Sequence, residues 1–219
     1  MKKAEVRARI EEIGIIPGIR VATADHARFA AEAVNRSGIP IAEITMTVPG
    51  ALDVIRHLRK SLPDMVVGAG TVLDLETARR CLDAGALFLT STGLVPEVVE
   101  FALQNDIVVF PGAMTPTDLI AAWKTGADFV KIFPCGPLGG PSYIRALKLP
   151  FPQVPLIATG GVNQRTAGDF ILNGATVLGI GSELINPEGL PRMKEEQINE
   201  LARRYLKIVK NARALKEGS

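Results

Sequence analysis

The chain has 219 residues, 47% apolar and 22% charged, with a net charge of +2 and only two cysteines, Cys81 and Cys135. That composition supports a sizeable core, and the near-balanced charge points to neither nucleic acid nor a membrane as a partner. Two widely spaced cysteines argue against a disulfide scaffold and for a reducing compartment, so a cytoplasmic location is expected.

The N-terminal stretch MKKAEVRARIEEIGI mixes acids and bases and lacks the apolar core of a signal peptide. It is predicted to form a helix. From there, short runs rich in Val, Ile and Leu alternate with longer amphipathic segments. A strand is predicted over 15–20 and a helix over 25–36. The next strand–helix pairs are 39–46 with 49–60, 65–68 with 75–84, and 87–91 with 96–104. Then come 107–111 with 116–124, 128–134 with a helix around 143–147, 154–159 with 164–172, and 177–180 with a long helix over 192–214. The apolar runs are nearly continuous, as expected of parallel strands covered on both faces by helices. Eight such units predict an α/β chain folded as a single (β/α)8 barrel domain over residues 1–219, with one extra helix at its N-terminus. A doubly wound open sheet is the competing architecture. It would carry a glycine-rich fingerprint after its first strand, where this chain has ATADHA instead.

In such a barrel the chemistry sits where strands end and helix-leading loops begin. Arg20, Glu43, Thr71, Ser91, Thr92, Lys131, Thr159 and Ser182 all fall at or near those ends, whereas the opposite ends carry Pro40, Asp128 and Pro155. Lys131 lies within DFVKIFP, flanked by Phe129, Val130, Ile132 and Phe133. One reading is a lysine that snorkels to water. The other is a nucleophile, because burial disfavours an ammonium ion and a neutral amine attacks carbonyl carbon to form a Schiff base. Glu43, inside IPIAEITMT, reads either as a structural ion-pair partner or as a general acid/base beside the imine. TGGV (159–162) and GIGS (179–182) follow the seventh and eighth strands. Their glycines either make tight turns or cradle a phosphate, and the pair together favours phosphate. In GAGT (68–71) the glycines read as a turn, with Thr71 as a helix cap or a substrate contact. His26 and His57 fall on predicted amphipathic helices, so no metal site and no cofactor are expected.

These motifs carry a resemblance. EITMTVP (43–49), VGAGTV (67–72), FPGAMTPT (110–117), FVKIFP (129–134) and TGGV, in this order and spacing, resemble the 2-keto-3-deoxy-6-phosphogluconate (KDPG) and 4-hydroxy-2-oxoglutarate (KHG) aldolase family. The resemblance runs from about Ile15 to Leu184. It implies a metal-free class I lyase that releases pyruvate through an imine on Lys131, with Glu43 as proton shuttle. It also implies a pyruvate-carboxylate site at Thr47 and Thr71, a hydroxyl from Thr159 near the aldehyde end, and a phosphate site at Gly160, Gly161 and Ser182. Arg20 and Phe133 match further substrate contacts, and a homotrimer is implied. Two positions depart from a common form of the pattern: Thr47 stands where many members carry arginine, and Thr92 where many carry proline. A galactonate-derived substrate, an isomerase or epimerase using Lys131 as an electrostatic clamp, and a non-catalytic phosphosugar-binding or assembly protein are the alternatives.

Overall fold

A computed structural model describes residues 1–218. Its strands are β1 (Ile15–Ile19), β2 (Ile41–Thr45), β3 (Val66–Gly70), β4 (Phe88–Thr90), β5 (Val108–Phe110), β6 (Gly112–Ala113), β7 (Val130–Ile132), β8 (Leu156–Thr159) and β9 (Ala175–Ile180). All pairings are parallel, in the order β5-β4-β3-β2-β1-β9-β8-β7-β6. The two edge strands of that list are one stretch of chain interrupted at Pro111, which has no N–H to donate to a ladder. The interruption lets one stave face two neighbours. β5 pairs with β4, β6 pairs with β7, and the Lys131 N–H donates to the Pro111 carbonyl at 2.9 Å. The sheet therefore closes, and nine strands make the eight staves of a (β/α)8 barrel.

Helices α1 (Lys3–Ile13), α2 (Ala24–Arg36), α3 (Ala51–Ser61), α4 (Leu75–Asp83), α5 (Pro96–Gln104), α6 (Pro116–Lys124), α7 (Pro141–Lys148), α8 (Ala167–Leu172) and α9 (Glu195–Glu217) complete the fold. Several start on strong local signals. Thr23 caps α2, Asp74 caps α4, and Thr115 with Asp118 forms a capping box on α6. Proline opens α5, α6 and α7, where its missing donor costs nothing. Among the described residues no helix is long and apolar enough to cross a membrane.

Helix α1 packs across the N-terminal ends of the strands. There Lys3 pairs with the buried Asp128 at 3.0 Å, and Arg7 stacks over the Phe129 ring at 5.5 Å. Asp128 also accepts the Val109 N–H at 2.9 Å, so this lean end of the barrel has its own structural carboxylate. The barrel interior is layered, as side chains two apart along a strand share a face. Phe88, Phe110 and Phe129 fill the lower layer, with ring centroids 5.2 and 6.1 Å apart. The layer above them is polar and open, and it holds the candidate site.

Candidate active site

Lys131 is the central residue of β7. Val130 and Ile132 on either side are fully buried, and Lys131 itself is only 4% exposed. Alternation along the strand explains the arrangement: Phe129, Lys131 and Phe133 share the inner face, while Val130 and Ile132 face the helices. The amine thus stands directly above the aromatic layer. Glu43, on β2, is 7% exposed and enters the same space from across the barrel. Its Oε2 lies 3.6 Å from Lys131 Nζ. The pair compensates two charges that would be costly to bury alone. At 3.6 Å it is longer than a hydrogen bond, so both groups can still turn to a third atom. The Nζ also lies 5.9 Å from the centre of the Phe133 ring.

Glycines make room for these groups. Glu43 is in register with Gly18 on one side and Gly68 on the other, Lys131 with Gly112, and Thr159 with Gly179. A methyl group on Gly70 would sit 1.9 Å from Glu43 Oε1, and one on Gly179 would sit 2.2 Å from Thr159 Oγ1. One on Gly68 would sit 2.3 Å from the Phe88 ring. Gly68 and Gly70 are therefore not turn residues. They lie within β3, and the absence of a side chain is what they contribute. Thr71 follows them with φ of 59°, an uncommon conformation for a β-branched residue. It does not cap α4, which is capped by Asp74; instead its hydroxyl accepts a hydrogen bond from Arg20 Nη2 at 3.3 Å.

The cavity has a volume of about 230 Å3. It is lined by eight of the ten sequence-predicted residues: Lys131, Glu43, Arg20, Phe133, Thr159, Gly160, Gly161 and Ser182. Thr71 is tied to it through Arg20. Thr47 stands outside the lining, exposed on the turn beyond β2, with its hydroxyl 3.0 Å from that of Thr45. Thr45 lines the cavity in its place, and its hydroxyl donates to the Ile19 carbonyl at 3.1 Å. The signal for Thr45 was available: it is two residues after Glu43 on one strand, hence on the same face. Thr92 and Glu183 also line the cavity.

The Thr159 hydroxyl oxygen is buried and has no hydrogen-bond partner among the described residues. An unpaired buried hydroxyl is costly, and a ligand in the cavity would satisfy it. Gly160 and Gly161 both have positive φ, 81° and 94°, and Gly161 closely approaches Gly136. A side chain on Gly161 would collide with Gly136, and one on Gly160 would crowd Pro134 at 3.1 Å. Cys135 is buried, its Sγ donating to the Gly160 carbonyl at 3.2 Å, and burial pushes the thiol up to about 11. It packs the loop and is not a thiolate near neutral pH.

Comparison with known proteins gives the family and the fold. The family model for "KDPG and KHG aldolase" matches residues 6–201. A 2-dehydro-3-deoxy-phosphogluconate aldolase of Haemophilus influenzae is 30% identical over 206 residues, covering 94% of this chain and 97% of that one. A KHG/KDPG aldolase of Escherichia coli K12 is 31% identical over 189 residues, covering 86% of this chain and 89% of that one. A crystal structure of KDPG aldolase from Legionella pneumophila, with pyruvate captured as a covalent carbinolamine, superposes with a TM-score of 0.83. It is 28% identical and covers 90% of this chain and 96% of that one.

Proposed function

The chain belongs to the KDPG and KHG aldolase family, and from that premise we propose how its barrel mouth works. The enzyme is a lyase that reversibly cleaves 2-keto-3-deoxy-6-phosphogluconate to pyruvate and glyceraldehyde 3-phosphate. It also cleaves 4-hydroxy-2-oxoglutarate to pyruvate and glyoxylate. Lys131 is the nucleophile. Its amine adds to the C2 keto carbon, and loss of water leaves a protonated imine. Glu43 takes the proton from the C4 hydroxyl, the C3–C4 bond breaks, and its electron pair moves into the imine to form an enamine. The aldehyde leaves. Glu43 then returns a proton to C3, and water releases pyruvate from Lys131. The observation that carries this reading is the buried Lys131–Glu43 pair, 3.6 Å apart inside an otherwise aromatic and glycine-lined barrel. Positioning two groups on rigid strands favours precise proton transfer.

Around that pair, Arg20 with Thr71 holds the pyruvyl carboxylate, and Thr45 shapes that end of the cavity. Thr47 is the weakest of the inferred carboxylate contacts, since it is exposed beyond β2. The unpartnered Thr159 hydroxyl bonds the C4 oxygen, Phe133 packs on the carbon chain, and Gly160, Gly161 and Ser182 receive the tail. A galactonate-derived keto acid fits the same chemistry, differing at one carbinol centre. The protein acts in the cytoplasm and assembles as a homotrimer, the latter resting on family resemblance and measurable by light scattering on the purified protein. Assaying pyruvate release from a panel of 4-hydroxy-2-keto acids tests the activity. Release from several of them is expected, and release from none overturns the reading.

A further inference from the structure

The far end of the cavity carries a charge that the aldolase chemistry does not use. Glu183 follows Ser182 in the turn after β9, is exposed, and lines the cavity along with Gly160 and Gly161, whose loop follows the neighbouring strand β8. Leu184 and Ile185 both donate backbone N–H bonds to Gly181, at 2.9 Å each, which holds Ser182 and Glu183 at the cavity rim. Behind the rim lies the buried Tyr205 of α9, whose phenol is pushed up to about 12, by burial first and then by the charge of Glu183.

Two cations line the cavity, Lys131 and Arg20. Lys131 is paired with Glu43. Arg20 ends the strand next to β9 but turns the other way, across β2, to bond Thr71. Among the described residues Glu183 therefore has no ion-pair partner, and the tail end of the cavity holds a carboxylate with no cation beside it. A phosphate ester brings close to two negative charges to that place. Like charges brought together in a partly enclosed site weaken binding, although solvent at the rim screens part of the effect.

Resting on the aldolase reading above, we propose that Glu183 is a specificity-determining residue. Its carboxylate penalises a dianionic tail and so narrows the enzyme's preference for a phosphorylated acid over the same acid without its phosphate. The residue acts on discrimination and takes no part in bond making.

The experiment compares one 2-keto-3-deoxy sugar acid with and without its 6-phosphate, reading the ratio of kcat/KM for the two. Glu183→Gln is expected to raise the ratio in favour of the phosphorylated acid about tenfold, mainly through KM, and Glu183→Lys further, as expected for removing and then reversing a screened like charge. On the unaltered protein, added salt is expected to raise the same ratio, because screening relieves repulsion. That arm needs no variant to fold. A ratio unmoved by both substitutions, or one that falls with salt in the unaltered protein, overturns the inference while pyruvate release continues. Absence of pyruvate release from either acid removes the aldolase reading and this inference with it.

Discussion

Glycine-to-alanine changes at two positions of β3 separate catalysis from stability along a single strand. At Gly70 an added methyl would lie 1.9 Å from Glu43 Oε1, 2.5 Å from its Cδ and 2.6 Å from its Cγ. The carboxylate must swing away, and because its side chain is flexible the barrel can absorb the change. Gly70 does not adopt positive φ, so alanine adds no backbone strain. Gly→Ala in a compatible conformation stabilises by about 0.4–1 kcal/mol through the unfolded chain, which offsets much of the local crowding. Gly70→Ala is thus expected to melt within a few degrees of the parent. A misplacement of about 1 Å costs about 100-fold in rate, and loss of general acid–base catalysis costs about 100- to 10,000-fold. Its kcat should therefore fall by about 100-fold or more. At Gly68 the methyl would lie 2.3 Å from the Phe88 ring, which is fully buried and stacked on Phe110. Overpacking there costs about 1–3 kcal/mol. Gly68→Ala should lower Tm by several degrees and leave most of kcat in the folded fraction. The assay is coupled pyruvate release beside thermal unfolding of the same samples. Near-parental turnover by Gly70→Ala would refute the placement of Glu43 as the working acid/base.

Further outcomes follow from individual residues. Lys131→Ala should abolish turnover while retaining the circular dichroism spectrum of the parent. Glu43→Gln should keep imine formation yet lower kcat by about 100-fold or more, since amide replaces a proton carrier; pre-steady-state trapping with pyruvate separates the two. At the opposite end of the barrel, Asp128→Ala strips the partner from the Val109 N–H and from Lys3. It should cost about 2 kcal/mol in denaturant unfolding, with kcat of the folded enzyme unaltered.

The sequence made some of these features plain and hid others for physical reasons. A charge inside an apolar run stands out because burial is costly, and Lys131 and Glu43 were both visible on that ground alone. Strand–helix alternation was equally plain, down to α5 and α6 at their observed boundaries. The break of one stave at Pro111 was not, because only the closed sheet shows a single stretch serving two neighbours. In the sequence Gly68 and Gly70 look like a turn, since glycine in isolation signals backbone freedom. Their role is space for Phe88 and Glu43, and that depends on partners 20 or more residues away in the chain. Thr45 is legible from its two-residue offset, whereas the family resemblance implies Thr47. Glu183 offered no signal: an exposed carboxylate in a loop looks like ordinary surface until the fold turns it toward a cavity.

The most direct test of the account is to treat the protein with pyruvate and borohydride and map the adduct by peptide mass spectrometry. The account requires one irreversible reduced-pyruvate modification, on Lys131, with matching loss of activity. An unmodified protein, or a modification on any other lysine, contradicts it.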